Sequence, residues 1–75
     1  MTPATTLTPR EWQIASHACI GASNKEIAHA LIIAEGTVKV HLHNILQKLR
    51  VKNRTALAVV ILRELSAARS SAQRV

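Results

Sequence analysis

The chain has 75 residues, with ten Lys and Arg against four acidic residues and a formal net charge of +6. One domain is the most that this length holds, and so short a chain folds only through an efficient helical core or with a partner that completes it. Hydrophobic residues make up 48%, which argues against disorder, while Trp12 is the sole aromatic, so Leu, Ile, Val and Ala must build the core. That poverty also counts against a single-strand or RNA binder, which stacks bases on aromatic rings. A basic excess suits a polyanion, either DNA or an anionic membrane surface. Cys19 is the only cysteine, which excludes an internal disulfide and a Cys-based zinc site. The opening residues lack a basic segment followed by an apolar one, and the longest apolar run, Ala56 to Leu62, is far shorter than the ~20 residues of a membrane span. A cytoplasmic location is the expectation.

Residues 1–6 read as a loose leader. A helix start follows: Thr8 can cap, Pro9 fits the first helical position, Glu11 closes a capping box, and Leu7 with Trp12 forms a hydrophobic staple. This first helix is expected to end near Cys19 or Ile20, with Ile14, Ala15 and Ala18 inward and Gly21 as terminator. Ser23 and Glu26 repeat the capping device for a second helix over 24–31, in which Ile27, Ala28 and Leu31 share a face. After a short turn, a third helix runs from about 35 to 50, with Val38, Leu42, Ile45 and Leu49 at buried spacing. Asn53 caps a fourth, Arg54 to about Leu65. There Leu57, Ala58, Ile61 and Leu65 fall on one face, and Ala56, Val59, Val60 and Arg63 fall opposite. A second apolar face requires a second partner. Residues 66–75 read as a basic, frayed tail. The expectation is thus a compact all-α four-helix domain without a wing, in which a two-turn and a four-turn helix outline a helix-turn-helix.

The ordered set Leu7-Thr8-Pro9-Arg10-Glu11, Gly21, Ser23-Asn24-Lys25-Glu26-Ile27-Ala28, Leu31, Ile33, Thr37-Val38-Lys39, His41, Ile45, Lys48-Leu49, Val51 and Arg54 resembles the DNA-binding domain of LuxR-type (NarL/FixJ-type) regulators over residues 7–65. The resemblance implies a homodimer that pairs through the fourth helix on double-stranded DNA, regulates transcription and lies with the nucleoid. It implies that the third helix enters the major groove. By position, Lys39, Val40, His43 and Asn44 would face base edges, where Lys39 could donate to guanine and Val40 could meet a thymine methyl. Ser23, Asn24, Lys25, Thr37, His41 and Lys48 would face the DNA backbone, and the orphan N–H groups of helix starts suit phosphate independently. Ala56, Val59, Val60 and Arg63 would form the dimer interface. Family members usually carry a receiver or sensor domain ahead of this module, so such an upstream domain, absent from this chain, is an expected partner.

Departures from the family pattern also carry information. Ala34 stands where Ser or Thr usually caps the recognition helix, and Gly36 loosens the same turn. Ala15 and His17 replace usual Leu residues, while Leu57 and Ile61 exceed the common Ala, which suggests that core volume moved from the first helix to the fourth. The four histidines do not suggest a metal site, because His41 and His43 diverge on one helix and His17 and His29 lie on others without acidic partners at ligand spacing. No cofactor is expected. With no paired carboxylates, phosphate loop or activated nucleophile, an enzyme is not expected either. The alternative is an interaction module that pairs through helix four with a full-length regulator and titrates it.

Overall fold

The computed structural model describes the backbone of residues 6–72 and the side chains of residues 6–68. Four helices follow one another: α1 Pro9–Cys19, α2 Asn24–Leu31, α3 Glu35–Lys48 and α4 Arg54–Ala72. Among the described residues there is no strand, so the architecture is all-α and carries no wing there. The expected leader lies outside the described residues apart from Thr6, as do the last three residues of the expected tail.

Both capping boxes form as the sequence predicts. At α1, Glu11 N–H donates to Thr8 Oγ1 at 3.1 Å, and Thr8 N–H donates to Glu11 Oε1 at 2.8 Å. At α2, Ser23 and Glu26 make the same reciprocal pair at 3.1 and 2.8 Å. Each box satisfies two N–H groups that a helix start would otherwise leave orphaned. Leu7 is buried and Trp12 packs against the core, as a staple requires.

Three successive helices stop by one device. Gly21, Ile32 and Arg50 take positive φ (91°, 57° and 56°). In each case the left-handed residue and its successor donate N–H bonds back into the last turn, as Gly21 does to Ala18 O and Ala22 to His17 O. The pairs Ile32–His29 with Ile33–Ala28, and Arg50–Gln47 with Val51–Leu46, repeat it. These are Schellman endings, for which glycine is the usual residue. Arg50 therefore ends α3 at Lys48, two residues earlier than the sequence suggests.

Among the described residues, twelve apolar side chains form the buried core, and Ile14, Ile27, Val38, Ile45, Leu57 and Ile61 are its largest fully buried members. Removing each such side chain from water contributes about 1.5–3 kcal/mol. Helix α1 packs against all three others, most extensively against α4, and α2 packs against α3. Ala15 of α1 and Leu57 and Ile61 of α4 are all fully buried, in the two helices that pack most extensively on each other.

Helix α4 departs from expectation at its far end. Asn53 caps it, with its Oδ1 accepting from Ala56 N–H at 2.9 Å. The helix then continues seven residues past Leu65, through most of the segment expected to fray. No Gly or Pro interrupts 54–72, and Ala and Arg favour helix. At 1.5 Å per residue, α1 reaches about 16 Å and α4 about 28 Å, so α4 outruns the helix it packs on. Leu65, assigned inward by periodicity, is 47% exposed for this reason.

Candidate nucleic-acid interface

Helix α3 divides cleanly. Val38, Leu42 and Ile45 are buried, with Leu49 continuing their line. On the opposite face, at 100° per residue, lie Gly36, Lys39, Val40, His43, Asn44 and Gln47, all exposed. The four residues expected to meet bases thus share one solvent-facing strip. Gly36 and Gln47 belong to the same strip and were left out of the expected site; the available signal was spacing, with Gly36 three and four residues before Lys39 and Val40, and Gln47 three and four residues after Asn44 and His43. A Cβ placed on Gly36 would meet nothing within 4 Å. The strip offers a cation, an apolar surface, an imidazole and two amides, a set able to meet guanine, thymine methyl and adenine edges.

Thr37, His41 and Lys48 lie along one flank of α3, with Thr37 exposed and His41 half-buried. Lys48 has a partner within the chain: its Nζ meets Glu11 Oε1 of α1 at 2.7 Å. Glu11 is 4% exposed whereas the Lys48 side chain is 38% exposed, so the ammonium keeps access to solvent. Burial pushes the Glu11 carboxyl up, but hydrogen bonds from Lys48 and Thr8 and the nearby ammonium outweigh it and hold the group below the usual carboxylate range.

The α3 start is uncapped. Ala34 has N-cap backbone angles, φ −71° and ψ 146°, yet supplies no side-chain hydrogen bond. Its carbonyl accepts from Thr37 and Val38 N–H.

The α2 start is organised differently. Its capping box occupies the Ser23 and Glu26 N–H groups, while among the described residues no acceptor meets the N–H of Asn24 or Lys25. Those two N–H groups and the positive end of the helix dipole provide anion-binding chemistry. Hydrogen bonds from the Ser23 N–H and hydroxyl hold the Glu26 carboxyl below its usual range. Arg54, the first residue of α4, donates from Nη1 to Asn24 Oδ1 and from Nη2 to Ala22 O. Sequence reasoning assigned Arg54 no contact, because its partners lie 30 and 32 residues away.

The outer surface of α4 is rotated from the expected one. Val59 is exposed at 45% and Arg63 is exposed, but Ala56 is half-buried and Val60 packs against the core. Among the described residues of α4, the large apolar side chains that are exposed are Val59, Leu62 and Leu65. Among the described residues, no group of three or more His, Cys, Asp or Glu could hold a metal ion, and no helix is long and apolar enough to cross a membrane.

Comparison with known proteins places this arrangement. Residues 5–61 match the family described as bacterial regulatory proteins, luxR family. The CsgBAC operon transcriptional regulatory protein of Escherichia coli is 54% identical over 54 residues, covering 72% of this chain and 25% of that protein. The nitrate/nitrite response regulator protein NarP of the same organism is 44% identical over 62 residues, or 83% of this chain and 29% of its own length. The transcriptional regulatory protein LnrK of Bacillus subtilis is 47% identical over 57 residues, 76% of this chain and 26% of that protein. The chain therefore spans about a quarter of the length of these relatives. With an all-α helix-turn-helix fold and a family match over residues 5–61, the chain belongs to the luxR family of bacterial regulatory proteins.

Proposed function

We propose that this domain binds double-stranded DNA sequence-specifically, as a two-fold dimer, and thereby regulates transcription without catalysing a reaction. The observation that carries the reading is the division of α3 into a buried aliphatic face and an exposed strip of Lys39, Val40, His43 and Asn44. In the major groove that strip faces base edges, with Lys39 donating to guanine and Val40 against a thymine methyl. Ser23, Asn24, Lys25, Thr37, His41 and the open side of Lys48 face phosphates and set the register. Pairing occurs through α4, with Val59 joined by Leu62 and Leu65 in place of Ala56 and Val60. The names of the relatives, transcriptional and response regulators, support this reading. Their greater length suits an upstream receiver or sensor domain in a cytoplasmic, nucleoid-bound protein.

Binding-site selection from a random duplex pool, followed by titration of the winner at several salt concentrations, tests the reading. Lys39→Ala is expected to lose about 1–3 kcal/mol of discrimination at one base pair. Equal weakening on every sequence would move Lys39 to phosphate, and absence of a salt-dependent winner would overturn the proposal. The uncapped α3 start favours one second reading, a module that pairs through α4 with a full-length regulator and titrates it. That reading requires association with such a regulator and no selected DNA.

A further inference from the structure

Resting on the DNA-binding reading above, we propose that Arg54 is a positioning residue for phosphate contact, acting through the Asn24 side chain and the backbone that leads into α2. The guanidinium holds two acceptors at once, Asn24 Oδ1 and Ala22 O, from the first turn of α4. Ala22 follows the Schellman end of α1 and precedes the Ser23 cap, so this single side chain fixes the path between two helices. With Oδ1 turned to Arg54, the Asn24 amide has one orientation, and its Nδ2 faces away. Nδ2 has no partner among the described residues, and no buried side-chain nitrogen or oxygen is left unpaired, so Nδ2 opens to solvent. Asn24 and Lys25 are the first two residues of α2, so Nδ2 and the two open backbone N–H groups belong to one helix start and together offer donors to a phosphate.

Arg54 itself is half-buried and already has two internal acceptors, which distinguishes it from a direct phosphate clamp. Its charge reinforces the positive end of α2, but its geometric work is the orientation of Asn24. A lysine cannot substitute, because one ammonium on a flexible stem does not reproduce a planar fork that spans both acceptors.

The test is a double-mutant cycle on the intact chain with the selected duplex. Arg54→Ala and Asn24→Ala are each expected to weaken binding about tenfold, the scale of one charge-assisted hydrogen bond, and the double variant should lose no more than the worse single. The slope of log affinity against log salt should stay that of the parent in both. Arg54→Lys, which keeps the charge and remains informative if Arg54→Ala fails to fold, should lose affinity as Arg54→Ala does. Additive losses, a slope smaller by about one, or parental affinity in Arg54→Lys would each overturn the proposal. Urea midpoints of the DNA-free variants check the tie separately: coupled shifts support it, and independent shifts refute it. If the parent shows no salt-dependent preference for any duplex while those midpoints are coupled, the DNA reading has failed and the tie has not.

Discussion

Lys48→Met removes the ammonium from the α1–α3 ion pair but leaves most of the aliphatic stem. Glu11 is 4% exposed, and without Lys48 its carboxylate retains Thr8 as its hydrogen-bonding partner among the described residues. Stranding a fully buried charge costs about 3–5 kcal/mol. Here the Lys48 side chain is 38% exposed, so water can replace part of the ammonium, and a loss of about 1–3 kcal/mol is expected at neutral pH. For a domain of this size that lowers Tm by about 4–8 °C per kcal/mol. The pH dependence identifies the cause. In the parent the folded-state pKa of Glu11 is depressed, so its stabilisation is present above the unfolded value, about 4.3, and is lost as pH falls through the folded pKa. In Lys48→Met, burial still raises that pKa while only the Thr8 hydrogen bonds lower it, so it moves up from the parent's and protonation on acidification relieves part of the penalty. Urea unfolding at pH 7 and near pH 3 should therefore show a gap between parent and variant that narrows in acid. A gap of equal size at both pH values would refute the ion-pair argument and assign the loss to packing.

Ala34→Ser should stabilise the free domain by about 0.5–2 kcal/mol in urea unfolding, because residue 34 already has cap angles and lacks only an acceptor; no gain would mean that the α3 start is satisfied in another way. Ile32→Gly should stabilise by about 0.5–1 kcal/mol, since a β-branched side chain at φ 57° is strained and, at 91% exposure, contributes little packing. An unchanged or lower midpoint would show that the turn gains more from Ile32 than the strain costs. Leu62→Glu should abolish self-association in sedimentation and weaken binding to a two-half-site duplex, and a dimer that persists in this variant would remove this face of α4 from the interface. The patch is short enough to fall below the ~1,200 Å² of stable interfaces, so the parent should dimerise only at micromolar concentrations or above.

Helix starts were legible because each is written locally: Thr8 with Glu11, Ser23 with Glu26, and Asn53 ahead of α4. The ends of α1 and α2 were placed correctly, at Cys19 and Leu31, but the left-handed residue that makes each ending was legible only at Gly21. Ile32 and Arg50 adopt the same left-handed ending against their intrinsic preference, and identity alone gives no sign of it. Periodicity found the inward face of α4 at Leu57 and Ile61, but it does not record where the opposing helix stops, so Leu65 was assigned inward, and Ala56 and Val60 were assigned to an outer face that Val59 shares with Leu62 instead. Lys48–Glu11 spans 37 residues and Arg54–Asn24 spans 30. Contacts at such separation leave no local pattern, and the site lost most to that limit.

Those two polar ties also account for how an aliphatic core can present α3 at a defined angle. Burial of Leu, Ile and Val is non-directional, and cores of this kind tolerate repacking before they lose stability. A shift of α3 along α1 would exchange one apolar contact for another at small cost, but it would pull Lys48 away from a carboxylate that is nearly inaccessible to water. A shift of α4 would likewise separate Arg54 from both acceptors ahead of α2. The ties penalise sliding where burial alone does not. None of them uses the outward strip of α3, so Lys39, Val40, His43, Asn44 and Gln47 are free of structural duty. Surface changes away from caps and buried networks usually stay within about 0.5 kcal/mol. The Lys39→Ala variant that tests base reading should accordingly unfold with the parent, and a marked loss of stability would show that the strip is not independent of the fold that presents it.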